Sequence, residues 1–502
     1  MGIGKRYGTF LVNIRRIIRW TFPAVIRSNL LVSIWVLVGF TAFNCSLEAI
    51  AQPPNIILIM SDDQGWGDVG YRNHPELKTP ALDSMASNGL VFGRFYSAAP
   101  VCSPTRGSML TGRHPFRYGI YFANVGHLPK EETTLPEVLQ QRGYTTGHFG
   151  KWHLGTMHPW VIESNRGGKA ENSKHYSPPW ENGYDECFAT ESKVPTWDPM
   201  INPPHAVAGS NKQQAPGDSF GSYYWTGPGQ LATENLMEAN SRVIMDRVVP
   251  FVENAVDAQT PFFATVWFHT PHSPVVAGEK YRKQYAHLST EQQHYYGSIT
   301  AMDEQIGRLR NLLKELKVAE NTIIWFCSDN GPAAEGGGPG LYAGGRQQGS
   351  TGGLRGRKGT LYEGGIRVPC IIEWPSVIAK STTTNYSAVT SDILPTILEL
   401  LDIPLPSGVS IDGVSIAPLL KDEAEAQREV PIGFQSTFDK NLYQVWLDYP
   451  YKLIRVVEGQ ESELYHLKDD PYEQRNIISG SPNQAEAMRA SLAAWVEECK
   501  ED

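Results

Sequence analysis

The stretch Asn55-Ile56-Ile57-Leu58-Ile59-Met60-Ser61-Asp62-Asp63-Gln64-Gly65 decides how this chain folds. Its apolar residues run on without alternation, so neither face is meant for water, and the run predicts a strand buried on both sides of a parallel sheet. In open α/β sheets ligands bind beyond the carboxyl ends of the strands, which is where Asp62 and Asp63 fall. Taken alone, two adjacent aspartates read as ordinary turn residues. The second half of the chain repeats the pattern, however: Asn321-Thr322-Ile323-Ile324-Trp325-Phe326-Cys327-Ser328 ends in Asp329-Asn330-Gly331. Two such ends, each with acidic and amide oxygens, converge most simply on a hard divalent cation such as Ca²⁺ or Mg²⁺. A third run, Phe262 to Phe268, leads into His269-Thr270-Pro271-His272-Ser273-Pro274.

The chain has 502 residues, enough for one large domain plus a smaller one. Its net charge of -9 comes with no basic stripe, which argues against a nucleic-acid partner. Lys5, Arg6, Arg15, Arg16, Arg19 and Arg27 precede an apolar run from Leu30 to Phe43 and the small-residue site Ala49-Ile50-Ala51. That order predicts a secretory signal over residues 1–51, cleavage before Gln52 and export to the periplasm or medium, with a retained signal anchor as the alternative. Cys45 leaves with the signal. Cys187, Cys327, Cys370 and Cys499 are too scattered for a disulfide framework, although an exported protein allows one or two bridges.

Cys102-Ser103-Pro104-Thr105-Arg106 opens a helix-compatible run closed by Gly112. A cysteine at a helix N-terminus beside a fixed cation favours anionic chemistry there. Downstream, Leu135 to Leu139 has helical spacing and precedes Gly143-Tyr144-Thr145-Thr146-Gly147-His148-Phe149-Gly150-Lys151-Trp152-His153-Leu154-Gly155. Lys151 and His153 lie two apart, so on an extended segment both point to one face. Residues 156–235 have few periodic apolar runs and many aromatics, among them Trp160, Trp180, Trp197 and Trp225, and read as a substrate rim. Ile299, Met302, Ile306, Leu309 and Leu313 mark a core-facing helix over Tyr296 to Leu316. A glycine-rich loop over 335–353 contains no phosphate-loop motif, which speaks against nucleotide binding. Near the C-terminus, Tyr451 to Arg455 and Glu463 to Leu467 predict a hairpin ahead of a final helix.

Cys102-Ser103-Pro104-Thr105-Arg106 with Leu110-Thr111-Gly112-Arg113 resembles the signature of the formylglycine-dependent sulfatases of the arylsulfatase type. Thr105 stands where Ser or Ala is commoner. The Gly143 to Gly155 block resembles the second signature of that family, with Phe149 at a usually smaller position. His269-x-x-His272-x-Pro274 and Lys358-Gly359-Thr360-x-Tyr362-Glu363-Gly364-Gly365-x-Arg367-x-Pro369 also match, and the resemblance runs from Asn55 to about Asn476.

The resemblance implies an alkaline-phosphatase-like α/β fold: a large central mixed, mostly parallel sheet flanked by helices, then a smaller C-terminal domain of antiparallel sheet plus helix. Residues 52–420 would form the catalytic domain and 421–502 the C-terminal one. Cys102 would be oxidised to formylglycine by a formylglycine-generating or anaerobic maturation enzyme, and its hydrate would be the nucleophile. Asp62, Asp63, Asp329, Asn330 and the modified Cys102 would hold the cation, Ca²⁺ or alternatively Mg²⁺. Exchanging sulfur for oxygen there removes the mismatch between a soft thiolate and a hard ion. Arg106, Lys358 and His272 would bind sulfate, and one of Lys151, His153 or His272 would protonate the leaving alcohol. The implied substrate is a sulfate monoester on a small molecule or glycan. Two rivals stand beside it, a phosphonate or phosphodiester hydrolase of the same superfamily and an inactive binder of sulfated glycans.

Overall fold

The Asn55–Ser61 run forms a strand with every residue buried. This computed structural model describes residues 52–203, 215–334, 348–378, 381–421, 427–438, 440–459 and 462–501. The signal expected over residues 1–51 and much of the glycine-rich loop lie outside the described residues.

The main sheet is built from β1 (Asn55–Ser61), β2 (Leu90–Tyr96), β3 (Thr145–Lys151), β4 (Glu186–Thr190), β5 (Trp225–Gly227), β6 (Gln230–Leu231), β7 (Phe262–Trp267), β8 (Thr322–Ser328), β9 (Arg367–Val368), β10 (Cys370–Glu373) and β11 (Thr382–Val389). Their order is β11-β2-β10-β8-β1-β7-β3-β4-β5-β6, with β9 paired to β2. The central five, β8-β1-β7-β3-β4, are all parallel. β10 and the β4-β5-β6 edge pair antiparallel, which makes the sheet mixed. The expected fold class is the one observed.

Why the central strands lack alternation is visible in what each face meets. Ile56, Leu58 and Met60 join one apolar cluster with Leu110 and Ile397, while Ile57 and Ile59 join another with Ile299, Met302, Ile306 and Leu309. The first cluster includes the Cys102–Thr111 and Ile393–Leu400 helices, and the second the Asn240–Asp257 and Thr290–Glu315 helices. The long Thr290–Glu315 helix starts at a reciprocal cap, in which Ser289 accepts from the Gln292 backbone and Gln292 reaches back.

Parallel pairing also brings the strand ends to one edge. Ser61 lies opposite Ser328, Met60 opposite Trp267, Gly150 opposite Trp267, and Lys151 opposite Thr190. β3 reaches that edge only because residue 150 is glycine. Its φ is +114°, and a Cβ there would fall 1.9 Å from the Trp267 carbonyl oxygen.

A second, four-stranded antiparallel sheet contains β12 (Ile432–Phe438), β13 (Asn441–Asp448), β14 (Tyr451–Val456) and β15 (Ser462–His466). The Pro482–Glu501 helix covers one face through Met488 and Leu492 against Leu453 and Leu464. The predicted hairpin is β14-β15, and two further strands extend it. The allowance for disulfides is not used among the described residues: Cys102, Cys187, Cys327, Cys370 and Cys499 are all buried and none is bridged to another. No helix among the described residues is long and apolar enough to cross a membrane.

Candidate active site

The site is built at the shared edge of the parallel strands. Asp62 and Asp63 follow β1, and Asp329 and Asn330 follow β8, all four buried. Asp63 takes a left-handed φ of +68°, and its backbone N–H donates to Asp329 Oδ1 at 3.1 Å. Asn330 Nδ2 donates to Asp63 Oδ1 at 2.7 Å. Lys151, the last residue of β3, places Nζ 2.7 Å from Asp62 Oδ2. Lys358 reaches Asp63 from the loop before β9. His272 Nε2 stands 3.8 Å from Asp63 Oδ2, while its Nδ1 meets the Ser273 carbonyl at 2.8 Å.

Arg106 is fully buried one turn into the Cys102–Thr111 helix. Its Nη2 donates to Asp329 Oδ2 at 2.6 Å and lies 3.7 Å from Asp62 Oδ1, and its Nη1 donates to the Lys151 carbonyl at 3.1 Å. Its two terminal nitrogens thus engage the carboxylate edge and the β3 backbone, while its Nε is buried without a hydrogen-bond partner.

Burial alone would raise the Asp63 carboxyl, but Lys358, His272 and Lys151 outweigh it and hold the group well below the usual carboxylate range. Asp329 goes the other way. Burial, then the neighbouring Asp62 charge, push it up to about 6 against Arg106 and Lys151. Two oxygens in this cluster, Asp62 Oδ1 and Asn330 Oδ1, are buried without a hydrogen-bond partner. Buried polar atoms are rarely left so, and these belong to a carboxylate and an amide, the hard donors that Ca²⁺ or Mg²⁺ takes. The residues present therefore fit a divalent cation. Asp62, Asp63 and Asp329 are matched here by Arg106, Lys151 and Lys358, so an added divalent ion leaves net positive charge to meet an anionic substrate.

Cys102 begins its helix where expected, and its sulfur and one oxygen each of Asp62 and Asp329 lie within 4.8 Å of one another. Burial pushes the Cys102 thiol up, with Asp329 and Asp62 adding to it, and Lys151 and Lys358 do not compensate.

The expected shared face of Lys151 and His153 is also not what brings them together. β3 ends at Lys151, and His153 has φ +61°, so the chain turns between them. His153 is instead held through Nε2, 2.9 Å from Asn124 Oδ1 and 3.2 Å from Ser192 Oγ. Burial, and then the charges of Lys151 and Arg166, keep its ring pKa well below the ordinary histidine value. His269 is a support, its Nε2 2.7 Å from Thr190 Oγ1 and its Nδ1 3.0 Å from Asn240 Oδ1. Sequence reasoning missed Asn124, Ser192, Thr190 and Asn240, none of which lies in a motif.

A parallel-strand edge with three buried carboxylates, three cations and a cysteine at a helix start defines a hydrolytic centre for an anionic ester. The chain belongs to the sulfatase family, the sulfuric ester hydrolases: residues 54–403 match that family, and residues 357–502 match the C-terminal region of N-sulphoglucosamine sulphohydrolase. Sulfatases generally use a formylglycine residue and a metal ion. Among curated relatives, N-acetylgalactosamine-6-sulfatase of Canis lupus familiaris is 33% identical over 400 residues, covering 77% of this chain and 69% of that protein. Arylsulfatase G of Rattus norvegicus is 30% identical over 518 residues, covering 93% of this chain and 91% of its own length. Among solved structures, Ps i-CgsB in complex with k-i-k-neocarrahexaose shares the fold with a TM-score of 0.74 at 23% identity, covering 88% of this chain and 93% of that one.

Proposed function

We propose that this sulfatase acts on a sulfated carbohydrate or aryl sulfate monoester through a formylglycine hydrate derived from Cys102. The observation that carries this reading is the meeting of Cys102, Asp62 and Asp329 at one point, with the unpartnered oxygens of Asp62 and Asn330 in the same cluster. The names of N-acetylgalactosamine-6-sulfatase and of the neocarrahexaose complex favour a glycan as substrate. When formed, the hydrate supplies an oxygen nucleophile in place of the buried thiol.

The remaining roles fall to the chain's own residues. Asp62, Asp63, Asp329 and Asn330 would hold Ca²⁺ or Mg²⁺, which would offset the charge that develops on the sulfate oxygens. Lys358 and His272, both beside Asp63, bind and orient the sulfate group. Lys151 or His272 supplies the proton to the leaving alcohol. We assign residues 52–420 to the catalytic domain and 421–502 to the C-terminal one, and read the protein as exported with its mature chain starting at Gln52.

A panel of sulfated sugars and aryl sulfates, with a phosphate diester as control, tests the reading. Sulfate release from at least one sugar, with the diester turned over far more slowly, is expected; preference for the diester would replace it with the phosphodiesterase rival. Metal analysis of purified protein is expected to find one Ca²⁺ or Mg²⁺ per chain. Removing the ion should lower the melting temperature as well as activity, since a ligand bound only to the folded state stabilises it. Full turnover by metal-free protein would overturn the cation site.

A further inference from the structure

The His153 ring is buried, and its two nitrogens have unequal surroundings. Nε2 faces Asn124 Oδ1 at 2.9 Å and Ser192 Oγ at 3.2 Å, whereas Nδ1 is buried with no hydrogen-bond partner. An amide oxygen can only accept, so the hydrogen of this contact sits on Nε2. A neutral imidazole has one ring hydrogen, and Nδ1 is then left with its lone pair. Burial together with Lys151, Arg166, Arg106 and His272 opposes a second proton on the ring.

The backbone on both sides is set for this contact. His153 N–H donates to the Glu191 carbonyl at 2.8 Å, next to Ser192, and its φ of +61° turns the chain out of β3. Asn124 is itself left-handed, with φ +62°, a conformation that asparagine tolerates better than most residues. It is an exposed residue whose side chain fixes a buried ring.

We propose that Asn124 is a positioning residue for the sulfatase reaction: by accepting the Nε2 hydrogen it fixes His153 in the tautomer whose Nδ1 lone pair serves the site. In that tautomer His153 is able to accept a hydrogen bond at Nδ1 from a substrate hydroxyl or a water and cannot donate one from it. This separates it from Lys151 and His272, with which it shares the expected role of proton donor. The proposal rests on the sulfatase reading for its kinetic consequence and on geometry alone for the tautomer.

Two variants and one spectrum test it. Asn124→Leu keeps the side-chain size and removes the acceptor; Asn124→Asp keeps an acceptor that cannot donate. With folding checked by circular dichroism, Asn124→Leu is expected to lower kcat about 10- to 100-fold with little change in KM. Asn124→Asp should retain most of the wild-type kcat. Nitrogen-15 spectra of the wild-type ring, assigned with His153→Gln, should show hydrogen on Nε2 and none on Nδ1, and Asn124→Leu should shift that balance. Wild-type kcat in Asn124→Leu, equal damage in a folded Asn124→Asp, or hydrogen on Nδ1 in the wild-type spectrum would each overturn the proposal. Absence of sulfate release by the wild-type protein would count against the sulfatase reading instead, and the spectrum would still decide the tautomer.

Discussion

Cys102→Ala is expected to abolish hydrolysis of an aryl sulfate, by on the order of 10⁴-fold or more, while leaving the fold intact. The loss follows from removing the atom that the hydrate would replace, at the point shared with Asp62 and Asp329. The fold should survive because one side-chain atom is small beside the two apolar clusters that flank the sheet. The same position gives a direct chemical readout. A tryptic peptide spanning Cys102 should carry the mass of the aldehyde and react with a hydrazide. An unmodified thiol in protein from the native host, with no turnover, would support the inactive binder. An aldehyde with preference for a phosphate diester would support the phosphodiesterase.

The same physics explains which parts of the molecule were legible in the sequence. β1, β7 and β8 read directly as strands because burial on both faces removes every polar interruption, and their register brings Asp62 and Asp329 together without further information. β4 did not read so. Glu186-Cys187-Phe188-Ala189-Thr190 is short, begins with an exposed glutamate and lies in the loop-rich stretch taken for a substrate rim. What makes it a strand is its partner β3, some forty residues away, and pairing of that kind leaves no local periodicity. Arg106 shows a different limit. Helical spacing from Cys102 places it one turn along the same helix, but only the end of β8 decides that it meets Asp329. Asn124 and His153 are 29 residues apart in no repeating relation, and the left-handed turns that join them are not written in any motif.

The second sheet should prove essential to the lysine that faces Asp63. Lys452 on β14 is fully buried, with Nζ 2.9 Å from Glu363 Oε1 and 2.8 Å from Glu473 Oε1. Glu363 also accepts from Tyr96 Oη at 3.1 Å, and its backbone N–H donates to Glu473 Oε2 at 2.7 Å. It lies five residues after Lys358, so this cluster anchors the loop that carries Lys358 to the site. Lys452→Met would leave two buried carboxylates facing each other and is expected to cost about 3–5 kcal/mol of stability. Activity should fall with it, chiefly as a rise in KM for the sulfate ester, as Lys358 loses its anchorage.

The loss should depend on pH. Burial would raise Glu363, but Lys452 and Arg367 now hold it below its ordinary value; burial already pushes Glu473 up to about 7 despite Lys452. Without the lysine both carboxyls rise, so above the ordinary glutamate range the folded state binds protons that the unfolded chain has released. Stability then falls as pH increases, and Lys452→Met should be damaged more at pH 8 than at pH 5.5. Thermal unfolding of parent and variant at the two pH values measures this. Equal loss at both, with the variant folded, would show that the carboxylates find another cation, and a variant as stable as the parent at pH 8 would remove Lys452 as the anchor of the Lys358 loop.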